Sequence, residues 1–152
     1  MSHFYYWEDF FKGQVIHCGT MTISESQILD FASQYDPQRF HVSKEAAENT
    51  IFKGLIASGW QTGSFMMRMV CDGFITNSSS VGSPGLESLK WIKPVRPGDT
   101  LRTVVEVLDT RPLNSKPHLG MIQSKWCCYN QYDELTTTIE AMNMFEKRPS
   151  GK

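Results

Sequence analysis

Residues 58–74, SGWQTGSFMMRMVCDGF, carry large apolar side chains on nearly every face of a helix. Three methionines lie in the run FMMRM, and Trp60 and Phe74 lie near the two ends. A helix that is apolar almost all round is expected to lie in the middle of a domain. Residues 58–74 therefore predict a long central helix that other elements cover.

The period of the apolar residues changes after this helix. The Gly, Ser and Pro content of GFITNSSSVGSPG, residues 73–85, predicts a long loop. Strands are then predicted, from alternating apolar residues, at residues 86–95, 100–110, 119–131 and 134–147. Helices followed by a run of strands indicate an α+β fold with an antiparallel sheet. We expect the apolar face of that sheet to wrap the central helix.

A first helix is predicted in SESQILDFASQY, residues 24–35. Ser24 and Gln27 have the spacing of a capping box. Pro37 disfavours the helical conformation at Asp36, so this helix should end there. A short second helix is expected after Ser43.

Asp36 and His41 lie five residues apart in the turn DPQRFH, between these two helices. Taken alone, the pair is weak evidence of function, because a helix end and a loop histidine would explain it. The negative C-terminal end of the first helix should disfavour a carboxylate and raise the pKa of Asp36. A raised pKa would suit acid–base catalysis near neutral pH.

Composition excludes several classes of protein. The 152 residues contain 15 basic and 16 acidic side chains, without the basic excess of a nucleic-acid-binding protein. No segment approaches ~18 consecutive apolar residues, so no membrane span is expected, and neither a membrane nor a nucleic acid is expected as a partner. The start, MSHFYYWEDFFKG, lacks the features of a signal peptide. No Cys/His cluster has metal-ligand spacing, and the four cysteines are interpreted as reduced thiols of a cytoplasmic protein.

Two further stretches are ambiguous on their own. The glycines of FKGLIASGWQTGS, residues 52–64, could expose backbone N–H groups at a helix start to a developing negative charge. On this stretch alone, close packing of the helix against the sheet is the favoured explanation of these glycines. PVRPGDTL, residues 94–101, is by itself a turn that enters a strand.

Four stretches together point to one family. YYWEDFFKGQ, DPQRFH, FKGLIASGWQTGS and PVRPGDTL occur in that order. Their order and spacing resemble the MaoC-like dehydratases, or (R)-specific enoyl-CoA hydratases of the hydratase-2 type, from about Phe4 to Phe145. The tail KRPSGK, from about residue 147, is expected to fray. The resemblance implies one hot-dog domain over residues 1–152. It also implies a homodimer or a dimer-based higher oligomer.

The resemblance carries over to particular residues. The hydratase motif has the form D-x-N-P-x-H, so Asp36 and His41 match the catalytic pair, while Gln38 and Arg39 hold the Asn and Pro positions. LIASG is similar to the P-I-x-H-G motif, so Gly59 matches the glycine whose N–H serves an oxyanion hole. The neighbouring residues predicted to bind substrate are Arg39, Phe40, Ser58 and Trp60.

The implied reaction is reversible hydration of a trans-2-enoyl thioester to an (R)-3-hydroxyacyl thioester. A coenzyme A thioester would be the substrate, and no metal or redox cofactor is expected. His41 is favoured as base and Asp36 as acid, but the roles could be reversed. The resemblance does not determine the acyl group of the substrate, and a dicarboxylic acyl group could be bound by Arg39 or Arg68. It also does not determine whether coenzyme A or acyl carrier protein carries the acyl group. The alternatives are a hot-dog acyl-CoA thioesterase and a non-catalytic acyl-thioester-binding subunit.

Overall fold

The computed structural model describes residues 3–150 and contains one five-stranded antiparallel sheet. The strands are β1 Val15–Thr22, β2 Ser80–Trp91, β3 Thr100–Pro112, β4 Leu119–Tyr129 and β5 Leu135–Glu146. Their order in the sheet is β1-β3-β4-β5-β2, so β1 and β2 are the two edges. The helices are α1 Glu25–Tyr35, α2 Arg39–Val42, α3 Lys44–Glu48 and α4 Gly59–Gly73, with single 3-10 turns at Trp7–Asp9 and Ile75–Asn77.

Helix α4 packs against the sheet, chiefly against β1 and β3. Its Met66, Met69 and Val70 are buried. They join one hydrophobic core with the inward-facing residues of the strands, among them Leu101 and Val105 of β3. The predicted α+β architecture, a sheet packed on one long helix, is confirmed.

The prediction that α4 is buried on nearly all faces is wrong on one side. Trp60 is 60% exposed and Met67 is 39% exposed. Both face a shallow apolar groove of about 280 Å³ that is also lined by Leu86 of β2. The sheet covers the opposite side of α4. The sheet ends at the edge strand β2, so the side of α4 beside this groove stays exposed.

Strand β2 begins six residues earlier than predicted, inside the segment expected to be a loop. Its pairing with β5 shifts register between Ser80 and Gly82, between Gly82 and Gly85 and between Leu86 and Ser88. Glycine and proline are tolerated at bulges and on edge strands, which is why GSPG does not end this strand. Strand β1 was not predicted, because most of its residues are exposed and its alternation is weak.

The elements around Asp36 follow the sequence closely. Ser24 accepts a hydrogen bond from Gln27 N at 3.1 Å, and Gln27 Oε1 accepts one from Ser24 N at 2.8 Å, which completes the predicted capping box. Helix α1 ends at Tyr35. His41, expected in a loop, instead lies in the single-turn helix α2, and Ser43 caps α3.

At the chain end, Lys147 N donates to His118 O at 2.9 Å, and Arg148 N donates to Glu8 Oε1 at 2.9 Å. Specific contacts therefore continue past residue 147, where fraying was expected to begin, and Gly151 and Lys152 lie outside the described residues. Within residues 3–150, no helix combines the length and the apolar character needed to cross a membrane.

Candidate active site

Asp36 and His41 meet at a half-open cavity of about 400 Å³, here named the dyad cavity. His41 Nε2 lies 3.3 Å from Asp36 Oδ2. The chain brings them together locally: α1 ends at Tyr35, Pro37 turns the backbone, and the single turn of α2 returns His41 to Asp36. His41 is 4% exposed, so its imidazole is reached only through the cavity.

The protein backbone fixes the orientation of the His41 ring. Nδ1 lies 2.8 Å from the carbonyl oxygen of Ile56, an acceptor only, so Nδ1 carries a proton and donates it. Ile56 N also donates to Phe40 O at 3.1 Å, so two hydrogen bonds join Ile56 to helix α2. Nε2 is therefore the atom left to exchange a proton with Asp36, with a water or with a substrate.

The carboxylate of Asp36 is held by two donors besides His41. Ser58 Oγ donates to Oδ2 at 2.6 Å, and Gln38 Nε2 donates to Oδ1 at 2.7 Å. Burial alone raises the pKa of Asp36, but the hydrogen bonds from Ser58 and Gln38 and the charge that His41 can carry outweigh it, so this pKa lies below its ordinary value.

The raised pKa expected for Asp36 is therefore wrong in direction. The expectation considered only the negative end of α1. Ser58 is also the N-cap of α4, accepting from Trp60 N at 3.3 Å, so the carboxylate lies beside the positive end of a 15-residue helix. The donors and this helix end favour the ionised carboxylate.

Gly59, the first residue of α4, lies against the indole of Trp91. A methyl group built on Gly59 would come within 2.2 Å of Trp91 Nε1 and Cε2. A side chain at position 59 would therefore displace the indole, which itself lines the dyad cavity. Among residues 3–150, no backbone acceptor is present for Gly59 N–H, as expected at a helix start.

All the predicted site residues except Arg39 lie at or beside the dyad cavity. Asp36, His41, Phe40 and Trp60 line the dyad cavity. Ser58 and Gly59 lie directly beside it through their contacts with Asp36 and Trp91.

The arginines lie elsewhere. Arg39 lies on the exposed surface of α2 and is not part of the cavity wall, so its role in substrate binding stays a prediction. Arg68 forms an exposed ion pair with Asp72 at 2.9 Å and also lies outside the dyad cavity. Neither arginine suggested for binding a dicarboxylic acyl group therefore lines the cavity.

Several residues of the site were missed from the sequence. The Ile56 carbonyl, Phe52, Thr62, Trp91 and Thr137 belong to it. Gln38 carries the one usable signal, since it holds the Asn position of D-x-N-P-x-H and also has an amide that can donate to Asp36. Phe52 and Ile56 lie in the stretch FKGLIASGWQTGS used for the family resemblance, but nothing in that stretch marks these two as site residues. Thr62, Trp91 and Thr137 come from α4, the end of β2 and β5, and no short motif links those three elements.

The sheet packed on one long helix and the Asp/His pair at its open side define the class of protein. The MaoC like domain family model matches residues 11–123, which is most of the chain, so the chain belongs to this family. A solved structure that it resembles, a conserved hypothetical protein from Mycobacterium tuberculosis, has a double hot-dog fold. The TM-score is 0.83 with 20% identity over 98% of this chain and 46% of that one. The fold is therefore a hot-dog fold.

Relatives of the chain include proteins with and without an assigned activity. It is 36% identical over 125 residues to the uncharacterized protein YdeM of Bacillus subtilis, covering 82% of this chain and 86% of that one. It is 34% identical over 113 residues to an (R)-specific enoyl-CoA hydratase of Rhodospirillum rubrum, covering 71% and 73%. The crystal structure of a MaoC-like dehydratase from R. rubrum superposes with a TM-score of 0.88 at 30% identity, covering 95% and 99%.

Proposed function

We propose that this protein catalyses the reversible hydration of a trans-2-enoyl thioester to an (R)-3-hydroxyacyl thioester. The observation that carries the proposal is the 3.3 Å approach of His41 Nε2 to Asp36 Oδ2 at a cavity wall, with each residue held by its own hydrogen bonds. The name of the R. rubrum relative supports the same reaction.

The reaction needs a base, an acid and a donor to the thioester oxygen. The lowered pKa of Asp36 favours the carboxylate as the base that takes a proton from water while the oxygen adds to C3. His41, protonated at Nε2, then delivers a proton to C2, and transfer from Asp36 to His41 restores the pair. This order reverses the roles favoured from the sequence.

Gly59 N–H is proposed to stabilise the enolate-like thioester oxygen. It is the first amide of α4, where the helix dipole favours negative charge. The apolar rings of Phe40, Phe52 and Trp60 line the same cavity and would contact the acyl chain. Coenzyme A is proposed as the thioester handle, and no metal or redox cofactor takes part in these steps.

The test follows crotonyl-CoA by the absorbance of its conjugated thioester, with free thiol measured in parallel. We expect loss of absorbance without thiol release, and an (R)-3-hydroxybutyryl product. His41→Ala and Asp36→Asn should each lower the rate by about 10²–10⁴-fold. His118→Ala, on an exposed histidine, and Asp30→Asn, on the exposed side of α1, are matched controls that should keep the wild-type rate.

Other outcomes would contradict the proposal in defined ways. Release of free thiol at a rate that depends on His41 would make the protein a thioesterase. Near wild-type hydration in either variant would remove the dyad from the mechanism. Binding of crotonyl-CoA without any turnover, for short and long acyl chains alike, would favour a non-catalytic thioester-binding subunit.

We also propose that the protein is a homodimer paired along β2. Edge strands carry free N–H and C=O groups, and an antiparallel edge can pair with its own copy about a two-fold axis. The apolar groove between α4 and β2, with the exposed Trp60, Met67 and Leu86, lies directly beside that edge. A second copy would cover the side of α4 that the sheet leaves open.

A further inference from the structure

A second, open cavity of about 570 Å³ lies behind the wall of the dyad cavity. Phe52 lines the dyad cavity, and the next residue, Lys53, lines the second cavity. Likewise, Val95 lines the dyad cavity and Arg96 lines the second. Residues 52–57 and 93–97 are joined by the hydrogen bond from Ala57 N to Val95 O at 2.8 Å. The two cavities therefore lie on opposite sides of the same two backbone segments.

The charges of this second cavity are predominantly basic. Three cations, Lys44, Lys53 and Arg96, face two acids, Glu25 and Glu48, so the local net charge is three minus two, or +1. Lys44 is neutralised by Glu25 at 3.0 Å. Within residues 3–150, neither Lys53 nor the Arg96 guanidinium forms an ion pair. We name this cavity the basic pocket.

The Arg96 guanidinium is held in place before any ligand arrives. Its Nη2 donates to Phe52 O at 2.6 Å, and its Nη1 lies 3.3 Å from the position a side chain would take on Gly54. The remaining guanidinium donors have no acceptor among residues 3–150. A fixed guanidinium with free donors matches the geometry of a phosphate oxygen pair.

The turn that presents Lys53 has an unusual backbone. Lys53 has φ +58°, in the left-handed region that non-glycine residues seldom adopt, and Gly54 follows with φ +155°. Neither Asn nor Gly, which tolerate this conformation best, occupies position 53. The strained turn places a lysine, in place of a smaller residue, on the rim beside Arg96.

We propose that the basic pocket binds the phosphate groups at the nucleotide end of coenzyme A. This inference rests on the proposed function, which places the thioester in the neighbouring dyad cavity. The long pantetheine arm lets the phosphates lie outside the cavity in which the thioester reacts. Glu25 and Glu48 on the rim would repel the broad acidic surface of a carrier protein, whereas a compact phosphate fits between Lys53 and Arg96.

The test measures the Kd of 3′,5′-ADP and of CoA by calorimetry, so that no turnover is needed. Lys53→Ala should weaken both by about five- to tenfold, as expected for a charge-assisted hydrogen bond. Arg96→Lys should also weaken the binding of both ligands, since lysine keeps the positive charge but lacks the paired donors of the guanidinium. Lys116→Ala, on an exposed lysine in the β3–β4 hairpin, should have no effect, and Glu48→Gln should tighten binding.

Kinetics separate a failure of this site from a failure of the proposed reaction. With crotonyl-CoA, Lys53→Ala should raise KM and leave kcat near the wild-type value. With the crotonyl thioester of N-acetylcysteamine, which lacks phosphates, it should match the wild type. If this small thioester is hydrated but 3′,5′-ADP fails to bind, or binds Lys53→Ala equally well, the site is wrong and the reaction stands. If 3′,5′-ADP binding depends on Lys53 without any hydration, the site stands and the reaction is wrong.

Discussion

Asp36 gains its chemical character from one residue that is distant in the sequence, Ser58, and from two near ones, Gln38 and His41. Its neighbours along the chain place it at the negative end of α1, which would favour the protonated form. Ser58, 22 positions away, and Gln38 donate to its two oxygens and lower its pKa. These specific hydrogen bonds outweigh burial and the nearby helix end, because each acts on the charged form at contact distance.

The lowered pKa of Asp36 has a defined consequence for stability. The folded state holds the ionised form more strongly than the unfolded chain does, where the ordinary value is 3.8. The resulting stabilisation is fully present above that pH, and it is lost as pH falls through the lower pKa of the folded state. Asp36 therefore favours the folded protein at neutral pH.

Removing the Ser58 hydroxyl should change the activity profile toward acid. Ser58→Ala deletes a donor that favours the carboxylate, so the pKa of Asp36 rises and the acid limb of kcat/KM moves to higher pH. Ser58 also holds the Asp36 carboxylate in its orientation, so loss of this hydrogen bond to a charged group should lower the rate at neutral pH about tenfold or more. The measurement is the pH dependence of crotonyl-CoA hydration.

Ser64→Ala is the matched control for this change, because Ser64 lies on the same helix and, among residues 3–150, its hydroxyl bonds only to Trp60 O. It should keep the wild-type profile. An unchanged acid limb in Ser58→Ala would mean that Ser58 does not set the protonation of Asp36.

At the scale of elements, the prediction succeeded where a segment has a strong period of its own. The caps of α1 and α3, the extent of α4 and the strands β3, β4 and β5 follow from residues close together in the sequence. The start of strand β2 could not be predicted in this way, since its Gly and Pro residues are accommodated only through bulged pairing with β5. Local pattern does not determine which neighbour a strand pairs with.

The start of α4 offers a sharp comparison of two glycines on one helix. Gly59→Ala should force the Trp91 indole away and cost about 1–3 kcal/mol of unfolding free energy. Gly63→Ala should be neutral or stabilising by up to about 1 kcal/mol, since its added methyl group would meet no atom within 4 Å beyond its chain neighbours and the adjoining backbone of α4. Urea unfolding of both variants measures the difference.

A second substitution tests the cause of the Gly59 effect. Gly59→Ala should cost less stability in a Trp91→Ala background than in the wild-type protein, because the indole that its methyl group would meet is gone, while the N–H of residue 59 is kept. Equal losses of stability in the Gly59→Ala and Gly63→Ala proteins would contradict this packing account.

At the scale of the whole molecule, the groove between the exposed side of α4 and the edge strand β2 is the surface that we propose a second copy covers. Light scattering should give about twice the chain mass of 17.4 kDa. Leu86→Lys, which places a charge in the apolar groove, should shift the protein toward monomer. Val15→Lys, on the exposed opposite edge strand β1, should leave the mass unchanged. A wild-type monomer would overturn the dimer proposal.

The sequence by itself determined the long apolar helix, the run of strands after it and the turn that brings Asp36 and His41 together. These features depend on residues within a few positions of one another, whose periodicity, caps and proline restrict the backbone directly. The family resemblance rests on the same short motifs, and the match over residues 11–123 agrees with it.

Only the tertiary structure decided the tautomer of His41, the low pKa of Asp36 and the indole wall over Gly59. Each depends on a partner from another element: the Ile56 carbonyl, the Ser58 hydroxyl and Trp91. Such contacts follow from how α2, α4 and β2 pack, and packing is a property of the whole core, which no single stretch of sequence encodes.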